Sequence, residues 1–246
     1  MKRPRLFAAV IVASAGLLTS LTASAATTPE SARPFKAADL KVEINATDGD
    51  AGLQVFLDDE AWNQIKIVNP RGRVLIDLQT KNSLKNYGLT ELFSESSEPP
   101  FDEFPLEEFK QLFPEGDYIF TGTLVDGTRL RSDVPLTHRF PHGPTILEPE
   151  DGAQLEPDEV VVRWEPAAQT AVGVQIVGYQ VIVVREDGTR DLEVDLGPTA
   201  RELSVPAEFL QDRTTYKAEV LAIETSGNQT LTEVTFTVKA GIVLTP

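Results

Sequence analysis

The heptapeptide Leu112-Phe113-Pro114-Glu115-Gly116-Asp117-Tyr118 returns about one small domain later as Leu210-Gln211-Asp212-Arg213-Thr214-Thr215-Tyr216. In both copies leucine precedes tyrosine by the same interval. A strand-like run follows each, Ile119 to Leu124 after the first and Lys217 to Ala222 after the second. This spacing predicts a tyrosine corner, in which the ring packs at the edge of a β-sandwich and the hydroxyl bonds backbone upstream. Two corners in one chain predict an all-β fold of two tandem sandwiches.

With no cysteine among 246 residues, hydrophobic cores rather than disulfides must hold both sandwiches together. Lys2, Arg3 and Arg5 precede an apolar stretch from Leu6 to Leu21, and Ala23-Ser24-Ala25 follows it. A basic start, a short apolar core and a small-x-small site are the parts of a secretory signal peptide, with cleavage expected after Ala25. Ser14, Gly16, Thr19 and Ser20 interrupt the apolar stretch and make it a poor spanning helix. The expectation is an exported chain, periplasmic or extracellular, with no membrane span after cleavage. Removing residues 1–25 takes away those three bases and no acid, moving the formal charge from −16 to about −19. Such a charge disfavours nucleic acid and anionic lipid, and suits a cationic partner or divalent ions.

Beyond the signal peptide, residues 26–38 read as a flexible lead. Pro141-His142-Gly143-Pro144 argues against continuous strand or helix and sets the boundary between the sandwiches, predicted at 39–141 and 142–240, with a tail over 241–246. In the second, Val160, Val162 and Trp164 alternate onto one face, as do Tyr179, Val181 and Val183. Tyr216, Ala218, Val220 and Ala222 form a third such face, and Val234, Phe236 and Val238 a fourth.

Trp164, the run Gly178-Tyr179-Gln180-Val181, Leu210-x-x-x-Thr214-x-Tyr216 and Ala222 together resemble a fibronectin type III domain over nearly all of 143–240. Asp212 stands where that family usually has proline. The resemblance implies a seven-stranded sandwich serving as a spacer or binding module. Overall the chain resembles uncharacterised exported bacterial proteins built from such modules. The first sandwich is a divergent Ig-like relative. Leu53, Val55 and Leu57 alternate, Ile65, Ile67 and Val68 lead into the turn Asn69-Pro70-Arg71-Gly72, and Val74, Ile76 and Leu78 return antiparallel. Trp62, after Asp58-Asp59-Glu60-Ala61, is expected in a loop or at a strand edge. A hairpin around Asp126-Gly127 closes the module.

The segment 91–117 is the least sandwich-like, mixing five phenylalanines with nine acids. Pro105 is placed to begin a short helical insertion with Leu106, Phe109 and Phe113 on one face. Two readings follow: an acidic, aromatic-rimmed surface for a basic partner or carbohydrate, or a helix capping the open end of the sandwich. Asp48 and Asp50, in the loop from Asn45 to Gly52, offer oxygen ligands for calcium, and Asp58, Asp59 and Glu60 are the acids that would have to approach them. Yet the loop lacks EF-hand spacing, and Asp-Gly is equally a tight-turn signal. His138 and His142 lie four apart, but Pro141 breaks any helix between them and no third ligand is evident. Asn45-Ala46-Thr47 and Asn228-Gln229-Thr230 match the glycosylation sequon.

No nucleophile elbow, phosphate loop or cysteine nucleophile is present. The expectation is therefore a non-catalytic exported protein, a binding or scaffolding module of the cell envelope or extracellular space. No catalytic residue, cofactor or metal is assigned, and the partner is an unknown protein or carbohydrate. The alternative is a hydrolase of envelope or extracellular polysaccharide using carboxylates of 91–117, with Glu103 and Glu107 as candidates.

Overall fold

In the computed structural model, which describes residues 32–168, 173–189 and 191–240, the period-two alternation becomes fourteen strands and two short helices. The expected signal peptide and the expected tail over 241–246 lie outside the described residues. The first module contains β1 (Ala37–Asn45), β2 (Asp50–Val68), β3 (Val74–Gln79), β4 (Leu89–Glu95), β5 (Gly116–Leu124) and β6 (Arg129–Leu136). Helices α1 (Ser83–Tyr87) and α2 (Leu106–Leu112) lie between them.

β2 departs most from expectation. What reads in sequence as two runs separated by an acidic loop is one strand of 19 residues. Its register slips between Asp58 and Trp62 along β4, and between Trp62 and Gln64 along β5. Bulges of this kind bend a strand and add twist. The slip also changes the phase of the inward face. Leu53, Val55 and Leu57 point inward before it, Trp62, Ile65 and Ile67 after it. The first half of β2 pairs β1 and β4, and the second half pairs β3 and β5, so one strand serves both layers. Trp62 is thus in the core, fully buried, not in a loop or at an edge.

The lead is also corrected over its second half. Phe35 is buried in the first core, and Arg33 pairs with Leu130 in an isolated bridge. The Arg33 guanidinium forks onto Asp59, with Nη1 2.9 Å from Oδ2 and Nη2 2.5 Å from Oδ1. Asp59, whose side chain is wholly buried, also accepts the backbone N–H groups of Lys36 and Glu60. Burial by itself raises a carboxyl pKa, but Arg33 and these amides outweigh it and hold Asp59 below its ordinary value.

α2 forms where Pro105 predicts it. Phe109 is buried, Phe101, Phe104, Leu106 and Phe113 pack around it, and Glu107 and Glu108 face solvent. The helical insertion therefore caps the sandwich, as the second of the two readings expects.

The second module holds β7 (Thr145–Glu148), β8 (Ala153–Leu155), β9 (Val161–Glu165), β10 (Ile176–Arg185), β11 (Asp191–Leu196), β12 (Glu202–Ser204), β13 (Thr215–Glu224) and β14 (Gln229–Val238). One layer runs β12-β9-β7, and the facing layer runs β11-β10-β13-β14. Trp164, Tyr179, Tyr216 and Phe236 fill the space between them. The two hydrophobic clusters share no residue.

Both tyrosine corners form. The rings of Tyr118 and Tyr216 are fully buried. Tyr118 Oη donates to the carbonyl of Pro114 at 3.1 Å, whereas Tyr216 Oη accepts the N–H of Gln211 at 2.9 Å. The corner is the same and the hydrogen bond runs in opposite senses.

The modules are joined by more than a linker. β1 of the first pairs in parallel with β14 of the second, Glu43 opposite Gln229 and Asn45 opposite Leu231. An eleven-stranded sheet therefore runs through both. Asn228, buried in the turn before β14, accepts the N–H of Val42 at 2.9 Å. Its amide nitrogen donates to the carbonyls of Thr137 at 2.8 Å and Arg139 at 3.0 Å. Thr230 Oγ1 adds a bond to the carbonyl of Pro141 at 2.8 Å. A Cβ on Gly143 would sit 2.5 Å from Thr232 Oγ1 and 3.1 Å from the Ala46 Cβ, so the chain passes close against β14 and a side chain there would force Thr232 to move.

Candidate functional site

Strand alternation sends Leu40 and Val42 of β1 into the core and leaves Asp39, Lys41 and Glu43 on the outer face. The register aligns this outer face into rows. Asp39 lies opposite Phe56, which lies opposite Phe93; Lys41 lies opposite Gln54, which lies opposite Glu95. Glu43 lies opposite Gly52 on one side and Gln229 on the other. Where the 223–229 segment of the second module rises beside this face, it encloses a groove of about 630 Å³. Phe56 and Phe93 line it on one side, Val134 and Pro135 on another, and Ile223 and Gln229 close it from the second module. Phe93 is 59% exposed, a large apolar surface for an outward strand position.

Beside the groove three carboxylates crowd together. Oxygens of Glu43, Glu95 and Glu98 lie within 4.8 Å of one another. Glu43 and Glu95 come from strands, while Glu98 is delivered by the loop after β4. That loop is tied to β2 by Ser96, which exchanges bonds with the Leu53 backbone in both directions, and by Phe101, whose N–H meets the Gly49 carbonyl at 2.7 Å. Glu98 thereby lies across Gly52, where an added Cβ would come within 2.3 Å of its carboxylate.

Two glutamines organise the group. Gln54 Nε2 donates to Glu43 at 3.1 Å and to Glu95 at 2.7 Å, and Gln229 Nε2 donates to the same Glu43 oxygen. Lys41 Nζ donates to Gln229 Oε1 at 3.0 Å. Burial raises Glu43, and Glu95 adds to this, against the opposing amide bonds and Lys41. Glu98, exposed at the edge of the group, has no such relief: partial desolvation, then Glu95, Asp50 and Glu43, push it up to about 7. Three hard oxygen donors at this separation match what a divalent cation takes, and equally what an ammonium or guanidinium group takes.

The acids singled out from sequence behave differently. Asp48 is held by the turn, its Oδ2 3.2 Å from Asn45 Nδ2. Asp50 Oδ1 is buried without a hydrogen-bond partner among the described residues. Burial and its acidic neighbours Asp48 and Glu233 raise the Asp50 carboxyl. Asp58, Asp59 and Glu60 do not approach this loop, because they sit eight to ten residues along β2, at roughly 3.3 Å per residue. Asp59 answers Arg33, and Glu60 answers Lys36 at 2.6 Å. Glu103 is exposed at the surface, and Glu107, also exposed, pairs with Lys110 at 2.7 Å.

His138 Nε2 lies 2.8 Å from the Phe113 carbonyl, and the His138 backbone N–H donates to the Glu115 carboxylate at 2.7 Å. His142 is exposed, so the two histidines serve the junction separately. Asn228 is no glycan acceptor in this fold, because its buried amide is consumed by the seam. Sequence reasoning missed Glu43, Gln54 and Gln229 altogether. The available signal was a run of polar residues on the outward positions of strands, Lys41, Glu43 and Gln54, next to the outward Phe56.

No protein-family model matches the chain, and no curated protein matches it. Among solved structures it is similar to the fibronectin type III domain of the human collagen alpha-1(XX) chain, with 21% identity and a TM-score of 0.29 over 43% of this chain and 88% of that one. It is similar to a two-domain fibronectin type III segment of chicken tenascin, with 11% identity and a TM-score of 0.29 over 82% of this chain and 98% of that one. A tetra-tandem repeat from the extending region of a large adhesion protein gives 16% identity and a TM-score of 0.31, over 83% of this chain and 50% of that one. Strand pairing within the chain itself carries the fold: two tandem β-sandwiches, the second with fibronectin type III-like layers of three and four principal strands.

Proposed function

We propose that the chain is a non-catalytic exported protein that acts as a binding or scaffolding module of the cell envelope or the extracellular space. One observation carries the binding part. The β1–β14 backbone pairing and the bonds of the Asn228 side-chain amide hold a groove between the sandwiches, so its walls keep a fixed spacing. A fixed concave surface with apolar walls and a few convergent polar groups is how binding sites are generally built. Support for export is the sequence pattern of residues 1–25, and among the described residues no helix is long and apolar enough to cross a membrane. Crosslinking in the native host, followed by purification and mass spectrometry, should recover one reproducible partner and a mature N-terminus after Ala25. Recovery of no partner, with the chain intact and folded, overturns the binding module.

A second reading has its own observation. Glu98, up at about 7 beside Glu95, pairs a proton-holding carboxyl with a neighbouring carboxylate, the arrangement glycoside hydrolysis uses. It moves the candidate residues from Glu103 and Glu107 to Glu95 and Glu98. Turnover of a polysaccharide panel, abolished in Glu98→Gln with the fold intact, supports it; no turnover of any member removes it.

A further inference from the structure

We propose that the groove receives an extended cationic peptide, with a basic side chain seated among Glu43, Glu95 and Glu98 and an apolar side chain two residues away lying on Phe56 and Phe93. This rests on the binding-module reading and names the partner chemistry of that same groove.

Three features argue for this occupant. The first is charge. Lys41 is the single lysine or arginine lining the groove among the described residues, and it is engaged with Gln229. Three carboxylates within 4.8 Å of one another repel, and an arriving guanidinium or ammonium removes that repulsion while supplying hydrogen-bond donors. A neutral sugar would supply hydroxyl donors and leave the repulsion in place. The second is apolar surface. Phe56 and the largely exposed Phe93 stand side by side across the β2–β4 pair, directly beside the acids. The third is spacing. Phe93 and Glu95 are two residues apart on one strand, roughly 6.5–7 Å, which is the distance between alternate side chains of an extended peptide. A basic-x-apolar triplet running along β4 meets both rows at once.

The pocket's proton balance gives the interaction a pH dependence. The charged groups facing Glu98 and its cluster are Lys41 and Glu43 from β1, Asp50 from β2 and Glu95 from β4, with Glu233 of β14 and Lys217 of β13 beside Asp50. Raising the pH through about 7 ionises Glu98 and adds a negative charge to the seat. Peptide binding therefore strengthens from pH 6 to pH 8, and salt weakens it.

The test uses the mature chain and three fluorescein-labelled peptides: Ser-Gly-Arg-Ala-Leu-Gly-Ser, its counterpart with glutamate for arginine, and its counterpart with serine for leucine. Anisotropy should show saturable binding of the first, none of the second, and binding of the third weaker by about fivefold or more. Glu95→Gln, which keeps a carbonyl for the Gln54 bond, and Phe93→Ser should each weaken the first peptide by about fivefold or more, with unchanged melting profiles as the folding control. Gly52→Ala, which displaces Glu98, should flatten the dependence on pH. Equal binding of the glutamate peptide, indifference to both groove variants, or displacement by chitotetraose or by calcium at low millimolar concentration overturns the peptide assignment. So does the absence of any saturable binding. If crosslinking in the host still recovers a partner in that case, the binding module stands and the groove assignment falls; if it recovers none, both fall.

Discussion

The two sandwiches carry the same corner and solve different problems with it. In the second module Tyr216 lies between Phe209 at 5.8 Å and Phe236 at 5.6 Å, and Trp164 packs on Tyr179 at 5.5 Å. Its layers close on these aromatic contacts and on the valines around them, with no inserted element. In the first module a single strand, β2, runs through both layers, with a slip of register between its two halves. Its core is completed by α2 with Phe109 and Phe113, and by the anchored stretch around Phe35, where partly exposed Arg33 pairs with buried Asp59. The regular sandwich completes its core from its strands, whereas the irregular one draws on an insertion and on the chain before β1; β4 and the loop after it place Phe93 and Glu98 outward.

The comparison is broken most severely at the tryptophans. Trp62→Ala and Trp164→Ala each remove a fully buried ring, at a cost of about 3–5 kcal/mol. Because the sheet is continuous across the seam, denaturation of either variant should still show one transition, displaced to lower denaturant concentration. Two well-separated transitions would mean that the sandwiches unfold independently.

Next comes Arg33→Ala, which touches the first module alone and strips the cation from buried Asp59. The variant should unfold at lower denaturant concentration, by less than the full cost of breaking a buried pair because Arg33 is itself partly exposed. Asp59 has a lowered pKa in the folded state, so its contribution is present above the ordinary carboxyl range and fades as the pH falls through the folded value. The gap between wild type and variant should therefore narrow on acidification below about pH 4. A gap that stays constant from pH 7 to pH 3 argues that the loss does not come from the ionised Asp59.

Asn228→Ala addresses the seam. It leaves the Val42 N–H and the Thr137 and Arg139 carbonyls without their bonds, for a loss of about 2 kcal/mol. The more telling readout is cooperativity, since this variant should be the one that splits the single transition in two.

The smallest effects compare the corners directly. Tyr216→Phe orphans an N–H, and Tyr118→Phe orphans a carbonyl, which tolerates loss of a partner better. Losses of about 1.5 and about 0.5–1 kcal/mol follow, in that order, by thermal or chemical denaturation. The reverse order would show that the sense of the hydrogen bond is irrelevant to the corner.

Much of the second module was legible because each strand kept its alternation from end to end. Val160-Val162-Trp164 and Tyr216-Ala218-Val220-Ala222 needed no tertiary information to be assigned a face. β2 was misread because alternation counts residues, and a bulge adds one without leaving a mark in hydropathy. Trp62, two residues past an acidic triplet, looked like loop for that reason. Phe35 was placed in a flexible lead because one aromatic among Pro, Ala and Lys gives no periodic signal. The insertion was half legible: the face of α2 follows from the spacing of Leu106, Phe109 and Phe113. β4, immediately before it, was hidden by glutamates that occupy its outward positions.

Local pattern and the repeated heptapeptide were enough to settle that the chain is all-β, that it makes two sandwiches, and that each carries a buried tyrosine at its corner. Those properties depend on contacts between residues near in sequence, or on periodicity that every strand displays. The groove and its acids depend instead on register and on the seam. Glu43 and Glu95 lie far apart in the chain and meet only because both flank β2, one through β1 and the other through β4. Gln229 reaches them only because β14 of the second module pairs with β1 of the first. Strand partners are chosen by packing over the whole fold, and no local feature of Glu43 or Gln229 encodes that choice.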